Sequence, residues 1–105
     1  MERIAIMVAT SPTSAPARRA FNLAETLVSQ GHQVTLGLLE DAVIAGVSGV
    51  PGLPEHPRVS VMVLADDLAL RGFELDSLIP GYRSCGYGDL VDLMMEQADR
   101  TLGVF

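Results

Sequence analysis

The sequence predicts a layered α/β domain, α/β/α in three layers around a mostly parallel central sheet of about five strands. Three observations carry that expectation. Short apolar runs rich in β-branched residues recur at positions 3–9, 33–39 and 58–64, the pattern of strands buried on both faces. Segments with helical apolar spacing or helix-start signals follow each of them. The alternation continues to the C-terminus, as βαβ units require. At 105 residues the chain has room for a single domain, residues 1–105.

Residues 3–9 form the first expected strand, and the small hydroxyl residues Thr10, Ser11, Thr13 and Ser14 form the loop after it. Ser14 or Thr13 caps the next helix and Pro16 sits in its first turn. Ala17, Ala20, Phe21, Ala24, Leu27 and Val28 recur on one helical face, and Gly31 ends the helix. His32, without an evident partner, precedes the second strand at 33–39. Residues 40–47 read as a short helix with Glu40 and Asp41 in its first turn. Two glycines and three prolines make 49–57 a loop, which contains His56. The third strand at 58–64 leads to a short helix at 65–71 that Gly72 stops, with Asp66 and Asp67 in its first turn. Residues 73–79 are a short helix or an irregular crossover, and Pro80-Gly81 is a turn. A loop follows, then a helix at 89–99 with Leu90, Val91, Met94 and Ala98 inward and Asp92, Glu96 and Asp99 outward. Residues 101–105 are the last strand.

Composition excludes several functions. The net charge is −6 and lysine is absent, so the chain lacks the clustered cations that a nucleic-acid backbone needs. One cysteine makes no intrachain disulfide, and no apolar run approaches a membrane span, so a cytoplasmic protein without membrane contact is expected. Two histidines and one cysteine without ligand-like spacing give no metal site, and no cofactor motif is present. The chain is 49% hydrophobic and 19% charged. Either a core-rich domain or a face covered by another subunit accounts for that.

The chemistry concentrates in Ser84-Cys85-Gly86-Tyr87-Gly88-Asp89. Gly86 and Gly88 permit a sharp turn, and the following helix points its N–H groups at the loop. Arg83, Ser84, Tyr87 and those N–H groups are candidates to stabilise a thiolate on Cys85, which predicts a modestly depressed thiol, below the free value of about 8.5. A lone cysteine is most often a small buried hydrophobe. Thr10 and Ser11, ahead of the helix start at Ala15, either hold a small anion or belong to the helix cap.

The two ends of the chain carry a resemblance. R-I-A-I-M-V-A-T-S-P, then A-F-N-L-A-E-T-L-V-S-Q-G-H-Q-V, then Ala69-Leu70-Arg71-Gly72, and finally Gly81-Tyr82 and Gly86-Tyr87-Gly88-Asp89-Leu90 resemble the DsrE/DsrF/TusD-like sulfur-relay family. The resemblance implies a three-layer α/β/α domain, homo-oligomers such as trimers or hexamers, relay partner proteins, and sulfane sulfur carried as a persulfide. Active members place the carrier cysteine just after the third strand. Here that position is Leu64, a departure from the family at its chemical centre. Three readings follow: a sulfurtransferase-like carrier that uses Cys85, a non-catalytic paralogue acting as oligomeric scaffold or regulator, and an α/β module that binds a small molecule or anion.

Overall fold

A computed structural model describes residues 1–49 and 52–105. Strands β1 (Arg3–Val8), β2 (Gln33–Leu38), β3 (Val59–Leu64), β4 (Arg83–Cys85) and β5 (Arg100–Val104) form one sheet in the order β4-β3-β2-β1-β5. All four pairings are parallel. Successive side chains of a strand point to opposite faces. Ile4, Ile6, Val8, Leu36, Leu38, Val61 and Val63 therefore enter one core, and Ala5, Met7, Met62, Leu64 and Cys85 enter a second one on the other face.

Helix α1 (Ala15–Ser29) covers the first face. Its cap is Ser14, whose Oγ accepts the Ala17 N–H at 3.3 Å. Ala17, Ala20, Phe21, Ala24 and Val28 are buried as the spacing predicts. Gly31 takes φ +93°, a left-handed conformation that favours glycine after a helix. The segment after β2 is a 3-10 turn (Glu40–Ile44) running into α2 (Ala45–Ser48), where one helix was expected. Gly46 lets this segment lie on the sheet, since a Cβ there would stand 2.8 Å from a Val63 methyl. α3 (Ala65–Leu70) packs Leu68 into the same core. A 3-10 turn (Leu75–Ser77) occupies the ambiguous stretch. Positions 50 and 51 of the expected 49–57 loop lie outside the described residues.

The second face carries one element, α4 (Tyr87–Asp92), which widens into a π turn (Leu93–Gln97) closed by the Ala98 N–H donating to the Leu93 carbonyl at 2.9 Å. Two expectations change here. Arg83–Cys85 is an edge strand rather than a loop, so the helix begins at Tyr87 rather than Asp89. Its buried residues are Leu90 and Leu93, with Ala98 partly buried, whereas Val91 and Met94 are exposed. The strands also pin the histidines. His32 Nδ1 accepts the Glu2 N–H at 3.0 Å, a partner that the sequence did not reveal. His56 Nδ1 accepts the Arg58 N–H at 3.0 Å.

Candidate functional site

In an open parallel sheet, sites form at the carboxyl ends of strands whose onward connections leave on opposite faces. β3 and β4 are such a pair. The helix after β3 packs Leu68 into the first core, and the helix after β4 packs Leu90 into the second. The two strands end in register, Leu64 beside Cys85. The expected carrier position and the only thiol are thus neighbours on one face of the sheet.

Leu64 is fully buried and Cys85 is 6% exposed. The thiol packs with Met62, Leu64, Leu90 and Leu93. A cavity of about 200 Å³ adjoins it, lined by Met62, Arg83, Ser84, Cys85, Asp89, Asp92 and Gln97. Arg83 and Ser84 are exposed along the edge strand, and Tyr87 is exposed on the helix.

The electrostatics reverse the sequence expectation. Burial pushes the Cys85 thiol up to about 11, the Asp89 carboxylate adds to the rise, and Arg83 only partly opposes it. A depressed thiol was expected because helix N–H groups and glycine-freed backbone would face the sulfur. Gly86 instead has φ −100° and extends the strand into the helix. Its N–H donates to Asp89 Oδ2 at 2.9 Å and is not available to sulfur. Gly86 and Gly88 are not among the glycines with positive φ.

Thr10 and Ser11 do not join this site. They follow β1, and β2 and β3 stand between β1 and β4, a separation of about 14 Å at ordinary strand spacing. Their groups build the start of α1: Ser14 Oγ donates to Thr10 Oγ1 at 3.0 Å, the Ser14 N–H donates to the Ser11 carbonyl at 2.9 Å, and Ser11 Oγ meets Thr13 Oγ1 at 3.3 Å.

Sequence reasoning missed Asp67. It is 6% exposed, and its Oδ2 accepts the Glu40 N–H at 2.6 Å. Glu40 is the only non-glycine with positive φ among the described residues, at +50°. Arg71 completes the tie by donating to the Asp67 carbonyl at 3.2 Å and pairing with Asp41 at 2.9 Å. Nothing local in Asp66-Asp67 distinguishes the buried acid from its neighbour, because its partner lies 27 residues away.

Among the described residues no three His, Cys, Asp or Glu side chains converge on a metal position, and no helix is long and apolar enough to cross a membrane.

The profile of a family described as DsrH like protein matches residues 13–100. No curated protein sequence matches the chain. Among solved structures, the ychN protein from E. coli superposes with a TM-score of 0.80 at 23% identity, covering 98% of this chain and 99% of that one. A protein of unknown function from Methanobacterium thermoautotrophicum, MTH1491, superposes with a TM-score of 0.80 at 13% identity, covering 95% and 97%. At such identities these structures share the fold with this chain.

Proposed function

Because the chain belongs to the DsrH-like family, we propose that it is a sulfur-relay-type protein that works beside partner chains and does not itself hold the sulfane sulfur. The match supports the earlier resemblance at the coarser level of a sulfur-relay-type family, and the family model that matches is the DsrH-like one. The supporting observation is the pair at the ends of β3 and β4. The carrier position is a buried leucine, and the thiol beside it is buried and held protonated at neutral pH. Thiolate, not thiol, attacks sulfur, so a thiol raised to about 11 makes a poor acceptor. Assembly into trimers or hexamers, which the resemblance implies, belongs to the same reading.

The register of Leu64 and Cys85 favours one alternative, a carrier that uses Cys85. In that case Cys85 loses its proton to solvent and its sulfur attacks the outer sulfur of a donor persulfide. A new S–S bond forms on Cys85, the donor S–S bond breaks, and the donor leaves as a thiolate.

Intact-mass analysis after incubation with a small-molecule persulfide separates the two. The non-carrying reading expects no sulfur adduct on native protein and an adduct on unfolded chain. Native loading of Cys85 to the extent of a control carrier overturns it in favour of the alternative.

A further inference from the structure

The crevice at the ends of β3 and β4 holds opposite charges that do not meet. Arg83 stands on the second face of the sheet, in register with Met62 and two residues before Cys85. Asp89 and Asp92, at i and i+3, share one flank of α4 and line the same cavity of about 200 Å³. Met62 and Cys85 form its buried floor, and Gln97 reaches it from the π turn. Among the described residues neither the Arg83 guanidinium nor the two carboxylates have an ion-pair partner.

Three further observations mark this crevice as a place for a ligand. It opens where the connections after β3 and β4 leave on opposite faces, the position at which open parallel sheets bind small molecules. Both signs of charge reach one point there, since Asp89 raises the Cys85 thiol and Arg83 lowers it. The Asp89 carboxylate is also held in place, because its Oδ2 accepts the Gly86 N–H at 2.9 Å. The helix widens into a π turn just where Gln97 meets the cavity, and such widenings recur at functional sites.

The charges decide what fills it. A simple anion drawn to Arg83 meets two carboxylates, and a simple cation drawn to the acids meets the guanidinium. A dipolar ion satisfies both sides. The guanidinium fork matches a carboxylate, and the three donors of an ammonium match Asp89, Asp92 and the amide oxygen of Gln97. The volume is below the roughly 300 Å³ at which pockets for drug-sized ligands begin, so the ligand is small. The soft, polarizable floor of Met62 and Cys85 suits a short apolar or thioether side chain. We propose that the crevice binds a small free α-amino acid as its zwitterion, with the carboxylate on Arg83, the ammonium at Asp89 and Asp92, and the side chain against Met62 and Cys85. The inference goes beyond the sulfur-relay reading and needs no reactive thiol.

The test titrates the full chain with S-methyl-L-cysteine, followed by NMR and calorimetry. Two analogues, the N-acetyl derivative and the methyl ester, each remove one charge of the zwitterion. The free amino acid is expected to bind saturably and to shift the amides of residues 83–85 and the Met62 methyl. Each blocked analogue should bind about tenfold more weakly or worse, because a charge-assisted contact is lost. Arg83→Gln should weaken the free amino acid about tenfold and abolish its advantage over the ester. Asp92→Asn should do the same for its advantage over the N-acetyl derivative, and it leaves the Asp89 bond to Gly86 in place. Arg18→Gln, at an exposed site on α1 across the sheet, should change nothing. No saturable binding, equal binding of all three compounds, or shifts confined to other surfaces overturns the proposal. The probe carries neither thiol nor persulfide, so failure here and failure of the sulfur-relay reading are separate results.

Discussion

Native Cys85 should alkylate more slowly than the unfolded chain, and the shortfall follows from its surroundings. With the thiol at about 11, only about one molecule in a thousand is thiolate at pH 8, against about a quarter for a free cysteine near 8.5. That is about a two-hundredfold loss of the reactive form. A more basic thiolate is a better nucleophile, and a Brønsted slope of about 0.4–0.5 over this shift returns about tenfold. The net effect is about a twentyfold slower reaction at pH 8, before the restricted access of a 6% exposed side chain is counted. Iodoacetamide labelling followed by intact mass from pH 7 to pH 11 measures it, with urea-unfolded protein as reference. Asp89→Asn removes a carboxylate that raises the thiol while keeping an oxygen for the Gly86 N–H, so labelling should quicken. Arg83→Ala removes the opposing cation, so labelling should slow further. Native labelling at pH 8 as fast as in the unfolded chain refutes the argument. A slow reaction whose midpoint still lies near 8.5 also refutes it, because access alone would then set the rate.

Two further outcomes follow from the packing and the surface. Gly46→Ala should destabilise the fold by about 1–3 kcal/mol in urea melts, because the new methyl meets the stiff, fully buried Val63 at 2.8 Å; Val63→Ala combined with it should cost less than the sum of the single changes. Asp99 should titrate below the ordinary carboxylate range, held first by the Arg3 N–H and then by its guanidinium. A carboxylate depressed in the folded state contributes stability at neutral pH that is lost as pH falls through its folded value. Arg3→Ala should return only part of the shift in an NMR titration, since the backbone N–H of position 3 stays in place.

The elements with strong periodicity were legible, and those set by distant partners were not. β1, α1, β2 and β3 stand within a residue or two of their expected bounds because apolar runs and the α1 stripe specify them without help from elsewhere. β4 has three residues, two of them polar and exposed, and Ser84-Cys85 reads as loop without β3 alongside. The inward face of α4 is ambiguous in sequence because Leu90, Val91, Leu93, Met94 and Met95 offer apolar side chains on more than one flank, and packing on the sheet selects Leu90 and Leu93. For the site, the placement of Cys85 near position 64 was within reach of topology alone. The direction of its titration was not, because it depends on how deeply the edge strand is covered and on which acceptor takes the Gly86 N–H.

The position of β1 between β2 and β5 has a consequence for synthesis. Ile4 pairs with Val34 on one side and with Arg100 on the other. As the chain leaves the ribosome, β2 can cover one edge of this apolar strand early, whereas the other edge stays bare until β5 has been made. Loops that long close slowly, and a bare apolar edge is a template for another chain. The most buried strand of the sheet is therefore also the segment exposed longest to mispairing, and the five-residue β5 is what ends that exposure.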